Sequence, residues 1–114
     1  MAAPPLHALS RGVPLAEADV LLVLLHGRAV PGNDLADLAD DVLALASGSL
    51  PRAAALLPEG PLAEGVGRTW YAMPEHTDVS SADDWRPPED LIWRVVATVK
   101  DAVERSPRQP VLVL

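Results

Sequence analysis

The run Val20-Leu-Leu-Val-Leu-Leu-His-Gly-Arg28 decides how the rest of the chain is read. Residues 20–25 are apolar without polar alternation, which marks a strand covered on both faces and so a parallel sheet between helices. The strand runs directly into a His-Gly turn. At the other end of the sequence Val111 to Leu114 forms a second short apolar run.

The segments between these runs supply the crossovers. The N-terminal stretch to about Asp19 reads as an extended, proline-containing lead-in. After a loop from His26 to Asn33, Asn33 is placed to cap a helix with Asp34 and Asp37 in its first turns. Leu35, Leu38, Ala39, Val42, Leu45 and Ala46 follow at helical spacing as one apolar stripe, and Gly48 and Pro51 end it. Arg52 to Leu57 is read as a strand. Pro58 to about Pro88, with Gly60, Gly65 and Gly67, is read as one long loop. A second helix is expected from near Pro88, with Leu91, Ile92, Val95, Val96, Val99, Ala102 and Val103 on its buried side. Ser106, Pro107 and Pro110 stop it before the last strand.

The order strand, helix, strand, helix, strand gives a single α/β domain over residues 1–114: a three-layer parallel sheet with flanking helices. A chain of 114 residues that is 49% hydrophobic is large enough to bury one core. The formal charge of -7 opposes approach to nucleic acid and anionic membrane surfaces. No apolar run reaches the roughly 18 residues of a membrane span, and no secretory leader is recognisable, so the chain is expected in the cytoplasm. The absence of cysteine excludes disulfides, thiolate metal sites and a thiol nucleophile.

Gly27 and Gly32 share the spacing of a phosphate-binding loop, but Asn33 and Asp34 stand where Lys and Ser or Thr are needed, and a carboxylate there repels phosphate. Glu75, His76, Asp78, Asp83 and Asp84 offer hard or borderline ligands at irregular spacing, better read as a solvated acidic loop than as a metal site. No cofactor is expected.

The ordered series VLLVLLHGR, Asp34-Leu35 opening a helix, Ala55-Leu-Leu-Pro58 and Gly67-Arg-Thr-Trp-Tyr71 resembles the phospholipase/carboxylesterase family of α/β-hydrolases, which includes acyl-protein thioesterases. The resemblance runs from about Ser10 to the end of the sequence. It implies an incomplete α/β-hydrolase fold and hydrolysis of carboxylic esters or thioesters by a serine, with a histidine base oriented by an aspartate. It further implies that the main-chain N–H of Arg28 is one oxyanion donor, and that His26, Gly27 and Trp70 belong to the substrate site. Tyr71 is read as structural.

Two departures accompany the resemblance. The family has glycine where this sequence has Ala29, and a positive φ there would cost alanine on the order of 1–2 kcal/mol. There is also no G-x-S-x-G motif. Ser10, Ser47, Ser49, Ser80, Ser81 and Ser106 lack the strand-turn-helix setting of a nucleophile, and neither His7 nor His76 matches a family catalytic position. No catalytic residue is therefore assigned. The 114 residues are expected to be the N-terminal portion of such a hydrolase, ending before the nucleophile elbow and inactive alone, with a complementing C-terminal chain or a second copy as partner. The alternative is a non-catalytic interaction module that uses the strand 111–114 as an exposed edge.

Overall fold

The structure is a computed structural model that describes residues 4–46, 48, 52–70, 89–106 and 111–113. Its main sheet has four strands: β1 (Ala8–Gly12), β2 (Val20–Val23), β3 (Ala53–Pro58) and β6 (Val111–Val113), in the order β1-β3-β2-β6. A hairpin of β4 (Leu62–Glu64) and β5 (Gly67–Thr69) forms a second sheet. The helices are α1 (Ala36–Ala46) and α2 (Glu89–Glu104).

β2 is the centre of the parallel part. It pairs with β3 from Val20–Ala53 to Val23–Leu56, and with β6 from Val20–Val111 to Leu22–Val113. The ladder with β3 continues through the Leu24 N–H to the Leu56 carbonyl at 3.0 Å. β2 therefore lies between the other two parallel strands.

Successive β2 residues point to opposite sides, as strand geometry requires. Leu21 and Val23 join Ala54, Leu56 and Ala102 in one cluster, with Val99 and Val103 of α2 packed against it. Leu22 and Leu24 face the other way, towards Ala55, Leu57 and Ala39, beside Leu35, Ala36 and Leu43. The two helices thus cover opposite faces. This follows from two right-handed crossovers that run in opposite directions, one outward to β3 and one back past β2 to β6.

Three sequence readings need correction. The lead-in contains a strand, because β1 pairs antiparallel with β3 from Ala8–Pro58 to Gly12–Ala54, so the sheet is mixed. Asn33 lies in a turn before the helix: its carbonyl accepts from the Ala36 N–H at 3.0 Å, and α1 starts only at Ala36. The long loop opens with the hairpin β4–β5, which turns through Gly65 at φ +59 and Val66. Glycine is suited to that angle, and the two-residue connection matches a tight hairpin.

The helix stripes are also rotated from expectation. On α1 the small Ala36 and Ala39 face the sheet with Leu43, whereas Leu38, Val42 and Leu45 are exposed, Leu45 to 86%. On α2, Leu91, Thr98 and Ala102 are buried, but Ile92, Trp93 and Val96 are exposed. Beside them an apolar groove of about 920 Å³ is lined by Val23, Leu25, Val95, Val96, Val99 and Val103. No helix among the described residues is long and apolar enough to cross a membrane.

Candidate active-site turn

The turn after β2 stands at the carboxyl end of the parallel strands, where the direction of strand addition reverses. In open α/β sheets this crevice is where ligands bind. Its anchor is His26, only 5% exposed although histidine is polar.

Both ring nitrogens of His26 are occupied. Nε2 accepts the Gly60 N–H at 2.9 Å, and Nδ1 donates to the Gly27 carbonyl at 2.6 Å. Because Gly60 can only donate and the carbonyl can only accept, the two partners select the neutral tautomer protonated at Nδ1. The Trp70 ring stacks on the imidazole at a centroid distance of 4.7 Å, and its Nε1–H donates to the His26 carbonyl at 2.8 Å. His26 and Trp70 are therefore together. Their polar atoms bind the protein's own backbone, however, so what they hold in shape is the turn itself.

Gly27, Arg28 and Ala29 lie exposed beyond this anchor. Ala29 adopts φ +57, which resolves the question its sequence position raised. A non-glycine residue in the left-handed region costs on the order of 1 kcal/mol and persists where surroundings enforce it. Those surroundings are visible. Val30 bridges Arg68 of β5, whose N–H donates to the Val30 carbonyl at 2.8 Å, and a Cβ added at Gly67 would lie 2.5 Å from the Ala29 carbonyl carbon. The Arg28 guanidinium is paired with the Glu64 carboxylate of β4, its Nε donating at 3.1 Å.

Residues from Glu59 to Arg68, which the sequence pattern reads as loop, complete the support. Arg68 donates from Nε to the Gly60 carbonyl at 3.0 Å and from Nη2 to the Pro61 carbonyl at 2.9 Å, and it pairs with Glu59 at 3.2 Å. It thus fixes the two carbonyls that follow the Gly60 N–H, the group that reaches His26. Glu59 also covers Gly32, where an added Cβ would meet its side chain at 2.6 Å. A Gly-x turn flanked by short β-compatible segments was the available signal for this hairpin.

Nothing resembling a nucleophile and base is assembled by the described serines and histidines. Ser10 is exposed on β1, Ser106 donates to the Ala18 carbonyl at 3.2 Å, and the His7 ring faces Glu59 at 3.8 Å. Among the described residues no group of three or more His, Cys, Asp or Glu side chains is arranged to hold a metal. Tyr71, the cluster Glu75, His76, Asp78, Asp83 and Asp84, and Ser47, Ser49, Ser80 and Ser81 lie outside the described residues.

The arrangement can present a main-chain N–H, that of Arg28, in a braced and exposed turn. No family model, curated protein or solved structure matches the chain.

Proposed function

We propose that this chain is the N-terminal portion of a serine carboxylesterase or phospholipase-like hydrolase acting on carboxylic esters or thioesters, with the Arg28 N–H as one oxyanion donor. The observation that carries the reading is Ala29 at φ +57, directly after Arg28 and three residues from the buried His26. Strain in an exposed turn, braced from a separate hairpin and set at the sheet's crevice, is of the kind found at functional sites.

In this reading a serine oxygen attacks the acyl carbon while a histidine takes its proton, and the carbonyl oxygen becomes an oxyanion. The Arg28 N–H stabilises that charge, and a second N–H comes from the residue after the nucleophile. One such donor is worth about 3–4 kcal/mol of barrier. The 114 residues hold no G-x-S-x-G, so in this reading the nucleophile lies outside them.

The coding DNA past codon 114, read in all frames, tests this directly. A G-x-S-x-G elbow followed by Asp and His is the expected result, and its absence from every frame would discard the proposal.

A second reading, an interaction module without catalysis, draws on a different observation. Among the described residues β6 is an outer strand of the sheet, and α2 exposes Ile92, Trp93 and Val96 next to an apolar groove; such edges and patches pair readily with another chain.

A further inference from the structure

We infer that His26 is a positioning residue that works only as the neutral, Nδ1-protonated tautomer, so that protonating it releases the turn it holds. The inference stands on hydrogen-bond geometry and holds whether or not the chain belongs to an esterase.

The constraint is at Nε2. Its lone pair receives the Gly60 N–H at 2.9 Å, and a proton there would set two N–H groups against each other with no acceptor between them. Nδ1 offers no escape, because it is already donating to the Gly27 carbonyl. Nor do Glu59 and Glu64, the carboxylates of the supporting hairpin segment among the described residues, stand free to take the charge. Glu59 is paired with Arg68 and faces His7, and Glu64 is paired with Arg28. Trp70, on the open side of the ring, carries no charge.

An imidazolium, 95% shielded from water, is thus left with one hydrogen bond where the neutral ring has two. Arg68 holds the carbonyls of Gly60 and Pro61, so this segment cannot withdraw from the ring as a whole, and the bond between the Gly60 N–H and Nε2 breaks. The ring is driven off its partner. Its movement takes with it the Trp70 stack and the Gly27 contact, and these set the path of the chain into Arg28 and Ala29. Acid is the trigger, because a proton on Nε2 removes the acceptor that Gly60 uses.

The test uses the 114-residue chain labelled with 15N-histidine. Long-range 1H–15N spectra at pH 8, with His7→Gln and His76→Gln spectra to assign the rings, report which nitrogen of His26 bears the proton. Nδ1 is expected, and a proton on Nε2 would overturn the inference. Between pH 8 and pH 5 the Gly60 amide should lose about tenfold in exchange protection after correction for intrinsic rates, the size of one hydrogen bond. The Trp70 indole N–H should shift with it. His26→Gln retains an acceptor for Gly60 but does not titrate, so its step should vanish. Unchanged Gly60 and Trp70 signals in the unsubstituted chain, or a step that survives in His26→Gln, would each overturn the inference.

Discussion

Trp70 holds His26 twice, by stacking on its imidazole at 4.7 Å and by donating its indole N–H to the His26 carbonyl at 2.8 Å. Side chain and main chain of one residue are thereby clamped by a single partner from beyond β5. Trp70→Phe removes the hydrogen bond but keeps an aromatic ring for the stack, and should cost about 1 kcal/mol in urea unfolding. Trp70→Ala removes the stack as well and should cost about 2–4 kcal/mol. Equal losses from both substitutions would show that the stack contributes nothing.

Ala29→Gly should stabilise the chain by about 0.5–1 kcal/mol, because relief from φ +57 exceeds the added freedom of glycine in the unfolded state. Ala29→Val should destabilise it, since a β-branched residue tolerates that region worst. Thermal unfolding of the two variants checks both signs. A less stable Ala29→Gly would mean that no strain is stored there.

Gly67→Ala should cost about 2–3 kcal/mol, since its Cβ would fall 2.5 Å from the main chain of Ala29 and force the hairpin off the turn. Gly65→Ala meets no atoms and is opposed only by its φ of +59, so it should cost less, about 1 kcal/mol. Denaturant midpoints of the two variants measure the difference.

Arg11 of β1 forms two hydrogen bonds to Asp40 of α1, at 3.0 and 2.5 Å. These bonds hold the Asp40 carboxyl below its ordinary range. A lowered carboxylate adds stability above the ordinary value and loses it as pH falls through the lowered one. The difference in urea midpoint between the unsubstituted chain and Asp40→Asn should therefore be steady at neutral pH and shrink below about pH 4. A difference that persists into strong acid would locate the effect elsewhere.

Trp93→Glu with Val96→Lys should reduce any self-association measured by sedimentation, since both side chains are exposed on α2. A chain that is monomeric at high concentration before substitution would count against the interaction-module reading.

The parallel strands were legible because β2 and β3 are nearly continuous apolar runs, and burial on both faces demands that composition. The Ala8-Leu-Ser-Arg-Gly12 strand was not, since an edge strand exposing Ser10 and Arg11 needs no apolar run. The phase of α1 misled for a related reason. Leu38, Val42 and Leu45 outweigh Ala36 and Ala39 in hydrophobicity, yet the alanines face the sheet.

At the turn, the strand end and His26-Gly27 marked the place, and Ala29 marked the strain. The bracing by Gly60, Glu64 and Arg68 was hidden because it comes from polar residues 30 or more positions away, whose role depends on contact and not on pattern.

The two margins of the main sheet are not equivalent. On the β1 side Ser10, Arg11 and Gly12 are exposed and Pro14 follows, so a neighbouring strand would meet polar side chains and a missing amide donor. On the other margin β6 presents the apolar run Val111-Leu-Val113, paired in parallel with β2. Any strand that joined there would be seated next to the crevice at the end of β2.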